Sequence, residues 1–521
     1  MRGSATRKML VGLLLVATLG VLVVAQQQGG TLDYGLTGTI VTIDPGVAVD
    51  SAGMTVIRAC YDRLVEMSAD GTEVVPALAK SWTVSEDGLT YTFYLVDNAT
   101  FHDGSPVNAD AVKYSLDRSL ALGKGWSDML IEAVAEGGVA VVSDYELTIT
   151  LTKSTPFFFD LLALAGPASV VNPAIVEANI TEDDPYAENY LYENTAGSGA
   201  FKLVEWSHGQ YLAMERNENY WGTPAYLDEV IMRVVPEAST ASTMVQGGDL
   251  DVAANLPPEV FQMLDARDDV KVLEFSILAF AAFYFDCSHE ILSNVLVRQA
   301  LSYAYDYETT LAVVGPGNNE MNGLLMPGML GHDPERAPYH QDFDKARELL
   351  DEAGYPDGFS MTCFYPPWGV IPELMVVAQA AFAQVGVDME IQEIAFGPYL
   401  EAVNNGDSPL FAWVGSPSIN DPHAQLYSRV HSSQIGTGSG GNINNYSDAA
   451  VDALLEAGLN ETDQAKRAEI YTQVDRILFE QAISIWQYVE AQQRAVRENV
   501  HGFIWPVIGV PDFSIVYMDA E

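Results

Sequence analysis

Apolar residues recur with a period of two in some stretches of this chain and with a period near 3.6 in others, and the two patterns separate strands from helices. Two alternating runs flank residues 207–210. Phe201, Leu203 and Trp206 mark the first; Tyr211 and Ala213 alternate with Leu212 and Met214 in the second. Gly209 between them supplies the positive φ that a tight turn often needs, so a β-hairpin is expected. Apolar residues on both faces put part of it inside a layered sheet. Gly197 and Gly199, just before it, allow another backbone to come close. A second hairpin is expected around Asp87-Gly88, before the alternating run Leu89-Thr-Tyr-Thr-Phe-Tyr-Leu95. Asn108 caps a helix with Ala109, Val112, Leu116 and Leu120 on one face. Residues 54–67 carry a helical stripe of Ile57, Cys60, Tyr61, Leu64 and Val65. Asp342 caps another helix, which Gly354 and Pro356 end. A strand at 361–365, a helix at 373–385 and a strand at 387–393 give the β-α-β order of a parallel α/β lobe. Apolar strands at 280–285, 410–413 and 483–489, and helices at 448–455 and 464–480, complete the pattern.

The wording of several runs is more specific than their periodicity. Tyr61-Asp-Arg-Leu-Val65 ends the first helix, and Val75-Pro-Ala-Leu-Ala-Lys-Ser-Trp82 precedes Asp87-Gly88 and Phe101-His-Asp-Gly104. Gly197-Ser-Gly-Ala-Phe-Lys-Leu-Val-Glu-Trp206 leads to Glu215-Arg-Asn-Glu-Asn-Tyr-Trp-Gly222, and Val297-Arg-Gln-Ala-Leu-Ser-Tyr-Ala-Tyr-Asp306 follows. Together they resemble the extracytoplasmic solute-binding proteins of the peptide/nickel ABC-transporter family, family 5, across nearly the whole exported chain. The resemblance implies an α/β, periplasmic-binding-protein-like, two-lobe clamshell of type II, in the large three-domain subclass. It places His102 and Asp103 in a structural turn rather than a metal or acid–base pair.

On that reading the first lobe is built from 26–55, 186–275 and 489–521, an inserted domain from 56–185, and the second lobe from 276–488. The chain crosses between lobes near Phe275 and again near Val489. Two crossings make a hinge about which the lobes can close as rigid bodies.

Residues 1–25 have the layout of a secretory signal peptide. Arg2, Arg7 and Lys8 precede the apolar run 9–24, and Val23-x-Ala25 supplies small residues for a cut. No Cys follows, so a periplasmic protein without lipid is expected, starting near Gln26. A length of 521 residues, 48% hydrophobic and 18% charged, belongs to a globular chain with room for two or three domains. The net charge of −46 argues against nucleic acid or an anionic membrane surface as a partner. Cys60, Cys287 and Cys363 are odd in number and far apart, which makes free thiols the default.

No Gly-x-Ser-x-Gly elbow, Walker loop or His-Glu-x-x-His stretch is present, and the eight histidines show no close ligand spacing. The Gly/Ser run 436–441 lacks the Lys-Ser/Thr of a phosphate loop. A secreted hydrolase is therefore a remote alternative. No enzyme activity, cofactor or metal is expected. The resemblance implies a monomer that binds a peptide or similar small oligomeric nutrient between its lobes and delivers it to the membrane permease of an ABC transporter. The same fold with an oligosaccharide or metal chelate as cargo is the alternative.

Strand ends of open α/β sheets are where ligands bind, which singles out Trp413, Ser416 and Asp421 after one strand and Tyr365 and Trp368 after another. In peptide binders of the family, a loop like Trp-x-Gly-Asp follows the first of these strands, and its Asp pairs with the peptide's α-amino group. Here the loop runs Trp413-Val-Gly-Ser416, with Asp421 farther on. Either Asp421 swings in to replace that charge, or the cargo has no ammonium group.

Overall fold

The computed structural model describes residues 28–417, 419–437 and 441–519, so the leader expected at 1–25 lies outside the described residues. The fold is built on one long mixed sheet. Its strands in chain order are β1 (Thr31–Leu36), β2 (Phe201–Ser207), β3 (Tyr211–Arg216), β4 (Glu229–Val234), β5 (Val252–Ala254), β6 (Val270–Phe285), β7 (Leu410–Gly415) and β8 (Ser484–Arg497). Their order across the sheet is β7-β6-β8-β5-β1-β4-β3-β2, with the short strand Asn319–Glu320 also pairing with β8. The expected hairpin is β2–β3, turning at Gly209 with φ +71°. Leu212, Ala213 and Met214 of β3 are buried, whereas β2 forms the sheet edge and exposes Val204.

β6 and β8 are the only strands of this sheet that serve both lobes among the described residues. Residues 270–276 of β6 pair with 491–497 of β8, and 280–284 pair with 484–489. Between these blocks Ile277, Leu278 and Ala279 oppose Glu490 alone, an irregularity that interrupts the ladder where the chain crosses. On one side lies a core of β1, β3 and β4 with the C-terminal Val496, Val500 and Phe513. On the other, apolar clusters cover both faces of β6 and β7. Phe283 and Phe285 look to one, Phe280 and Tyr284 to the other, as strand alternation requires. The second lobe is less parallel than its β-α-β order implies. Phe359–Tyr365 and Val387–Glu393 do pair in parallel, but as a separate two-stranded sheet, whereas β6, β7 and β8 pair antiparallel.

The inserted unit has its own four-stranded antiparallel sheet and a core running from Leu64 to Val170, joined by Ile419. Helix α1 (Ser51–Cys60) and residues such as Val171 and Val176 pack instead with the first lobe. The Asp87-Gly88 turn forms as read, and Asn108 Oδ1 accepts from Ala111 N to start helix α2 (Ala109–Leu122).

The distinctive sequence runs meet in space. Asp62, of the Tyr61-Asp-Arg-Leu-Val65 run, accepts hydrogen bonds from Ser198 Oγ (2.7 Å), Tyr220 Oη (2.9 Å) and Trp221 Nε1 (2.8 Å). His102 N–H donates to Gly197 O, and its Nε2 lies 3.1 Å from Gly199 O. Asp103 accepts from Ser105 and Asn172, so the pair serves a turn. A Cβ added to Gly197 would sit 1.9 Å from Cys60 O, the close approach its position implies. Arg118 of α2 reaches across to the first lobe and grips Asp44 with two bonds of 2.7 and 2.9 Å, both groups buried. The three cysteines are free.

Candidate functional site

The lobes meet along a cleft beside the β6–β8 crossing. Three segments converge on it: the loop that follows β7, the N-terminus of α1, and residues 505–510 near the C-terminus. The last of these ties the parts together. Val507 N–H donates to Asp70 O of the inserted unit, and Val507 O accepts from Leu278 N–H at the β6 irregularity. Arg58 Nη1 of α1 donates to Val510 O at 2.5 Å.

Linked cavities open along this line. One, of about 280 Å³, is lined by Ser51, Asn255, Ser416, Gln492, Arg494 and Trp505 among others. The next, of about 430 Å³, shares Ser51, Ser416 and Ile508 with it and is otherwise mostly apolar, with Met54, Trp126 and Leu164 in its walls. A third, of about 230 Å³, extends from Arg494 and Trp505 along the end of β1, residues 34–39. Beyond Ser416 and Pro417 lies a chamber of about 520 Å³ with Lys153, Phe157, His423 and Arg429.

Arg494 is the dominant charge. It stands on β8, two strands from β1, and is 3% exposed. Its Nη1 donates to Gln492 Oε1 and Gln493 O, each at 2.8 Å, and its guanidinium lies 4.0 Å over the Trp505 ring. Its Nε has no partner. Burial holds its pKa below the usual guanidinium value, and the Tyr34 hydroxyl and Glu490 oppose that shift. Among the described residues no carboxylate comes within ion-pair distance of it, whereas Arg118 and Arg467, equally buried, each grip one. A buried cation left this way favours an anionic or strongly polar guest.

Of the residues expected at the site, only Ser416 lines these cavities. Trp413 is half-buried, paired with Ala282 across β6 and packed into the cluster on one face of that strand. Tyr365 packs against the cluster on the opposite face. Trp368 is 39% exposed and leans on Phe396, with ring centroids 4.3 Å apart. Asp421 caps helix α3 (Pro422–Val430) through His423 N and pairs with Arg467 by bonds of 2.6 and 2.9 Å. With both oxygens committed, it stands as a strut and does not reach toward Ser416. Ser418, in the same loop, lies outside the described residues.

The loop after β7 still reaches the opposite lobe. Ile419 is 2% exposed inside the inserted unit's core, and the His423 ring stacks on Phe157 at 6.0 Å. Burial pulls the His423 pKa down to about 4. Asp160, on the inserted unit's side, is pushed up to about 7, first by burial and then by the facing Asp421. Arg494, Trp505 and Asn255 escaped the sequence reading because no local pattern joins them. The available signal was a pair of arginines, Arg494 and Arg497, in the last long strand of a chain with 25 basic and 71 acidic residues.

The sequence profile described as "Bacterial extracellular solute-binding proteins, family 5 Middle" matches residues 73–437. The chain belongs to this family. Among curated relatives, it is 31% identical over 474 residues to the "probable D,D-dipeptide-binding periplasmic protein DdpA" of Escherichia coli K12, covering 89% of each chain. It is 30% identical over 491 residues to "heme-binding protein A" of Haemophilus influenzae, covering 88% of this chain and 87% of that one. The fold matches the periplasmic binding protein DppA of Helicobacter pylori, solved with the peptide STSA, at a TM-score of 0.78 and 25% identity, covering 95% and 99%. The chain is thus a solute-binding protein with the two-lobe α/β fold of its family. Among the described residues, no helix is long and apolar enough to cross a membrane, and no group of three or more His, Cys, Asp or Glu residues is placed to hold a metal.

Proposed function

We propose that the protein is an exported, non-catalytic binder that captures a peptide or similar small oligomer in the cleft beside the β6–β8 crossing and hands it to an ABC permease. Relatives' names mention both dipeptides and heme, so kinship alone supports several cargoes. The observation that carries the peptide reading is Arg494: a buried guanidinium, with no carboxylate within ion-pair distance among the described residues, at the end of a cleft whose next chamber is apolar. A carboxylate beside hydrocarbon side chains is peptide chemistry. An oligosaccharide does not call for that combination.

Ser416 is the cleft contact kept from the sequence reading, as a hydroxyl donor. Trp413 and Tyr365 serve as packing, and Trp368 stands outside the cleft on Phe396. The same proposal takes 1–25 as a cleaved leader, the chain as a monomer, and the lobes as dividing near 275 and 489, with the inserted unit within 56–185. The test is to purify the exported protein from its native host, denature it, and identify what it releases by mass spectrometry. A peptide-like carboxylate of a few hundred daltons is expected; a sugar or a tetrapyrrole would contradict the reading.

A further inference from the structure

Arg494 and the chamber next to it together describe one ligand more narrowly than "peptide". Nη1 of Arg494 is taken by Gln492 and Gln493, while Nε, on the opposite edge, has no partner. The Nε edge of a guanidinium is one that a carboxylate can grip with paired bonds. Trp505 covers one face of the group. The N-terminus of α1 opens into the same space, because Ser51 lines all three cavities from β1 to Trp126. That helix is ten residues long, and its first amides favour negative charge. Asp50, the one carboxylate there, caps Gly53 N through Oδ1 at 2.8 Å and lines the cavity at the end of β1.

The adjoining chamber of about 430 Å³ differs in character. Val49, Met54, Trp126, Leu164 and Ile508 give it hydrocarbon and aromatic walls, and among the described residues its side-chain donors are the hydroxyls of Ser51 and Ser416 and the indole N–H of Trp126. Val49 and Trp126 remain exposed, at 56% and 37%, although both stand in this wall. A bulky apolar group entering from Arg494 would cover them. No Asp or Glu lines this chamber or the cavity of about 280 Å³ beside it, while Asp50 lines the third cavity, at the end of β1, where Arg494 also stands. An ammonium group placed in either of the first two would have no anion to meet, and burying it unpaired is costly.

We infer that the cargo is an amino-blocked, carboxylate-bearing amphiphile, such as an N-acylated hydrophobic amino acid or short peptide, its carboxylate at Arg494 and its apolar part between Trp126 and Ile508. This rests on the cleft reading above and narrows it.

Three probes test it by titration calorimetry on the full exported chain freed of cargo: Leu-Leu, N-acetyl-Leu-Leu and Leu-Leu-amide. Acetylation should leave affinity within about threefold or raise it, and amidation should cost at least tenfold. In Arg494→Gln the acid-to-amide preference should collapse toward one, while Arg494→Lys keeps part of it. The wild-type ratios stand by themselves should the Gln variant fold poorly. A tenfold or greater loss on acetylation overturns the inference and leaves the peptide reading in place. Equal binding of acid and amide overturns the role of Arg494. If none of the three binds at millimolar concentration, the inference and the peptide reading both fall.

Discussion

Asp421 does two structural jobs with one carboxylate, capping α3 and holding the buried Arg467. Asp421→Asn keeps an acceptor for the cap but leaves a guanidinium whose side chain is only 2% exposed without its anion. The expected result is a loss of about 3–5 kcal/mol in folding stability, read from urea midpoints, with affinity per folded molecule little changed. Unchanged stability with selective loss of binding would return Asp421 to the binding site. Asp160 faces that pair across the lobes, and its raised pKa gives a direction with pH. A carboxyl whose folded pKa, about 7, exceeds its unfolded value keeps a proton that the unfolded chain releases. Its contribution to stability is full below about pH 4 and is lost as pH rises toward 7. The difference between wild type and Asp160→Asn in thermal melts should therefore shift in the variant's favour between pH 5 and 8. A pH-independent difference would contradict the assignment. At this scale the sequence was least informative. Trp413, Ser416 and Asp421 are neighbours in the chain, yet they point to a core, a cavity and an ion pair. Arg494 reaches the cleft only because β8 lies beside β5 and β6, a pairing set by residues hundreds of positions apart.

Elements were far more legible, because their signals are local. Gly209, Asp87-Gly88 and Asn108 act through a turn or a cap within three or four residues, and each hairpin or helix forms where its signal stands. The apolar strands at 280–285 and 483–489 form as read, since runs buried on both faces belong in a sheet covered on both sides. Their length was not legible. β6 extends back to Val270 and β8 on to Arg497, through polar stretches such as Glu274 and Gln492–Gln493 that break the apolar runs. The parallel lobe was overread, since one β-α-β unit fixes only its own pair of strands. The backbone approach at Gly197 offers a sharp test of how the hairpin seats on α1. Gly197→Ala puts a methyl 1.9 Å from Cys60 O and displaces the His102–Gly197 bond. A loss of about 3 kcal/mol is expected by the cost of overpacking, measured by denaturant melts. A variant as stable as wild type would show that the contact is looser than described.

For the whole molecule, the proposed function has the lobes move about two strands. β6 and β8 carry the sheet across, and their ladder is interrupted where Ile277–Ala279 meet Glu490, so bending there breaks few hydrogen bonds. Ile419 and the Phe157–His423 stack join the loop after β7 to the inserted unit. A cargo that touches Arg494 on one side and Ser416 on the other binds the closed arrangement better than an open one, and it shifts the population by that difference. Small-angle scattering of the cargo-free protein and of the protein saturated with the cargo recovered from it tests this most directly. The account predicts a smaller radius of gyration with cargo bound; an identical radius at saturation would contradict it.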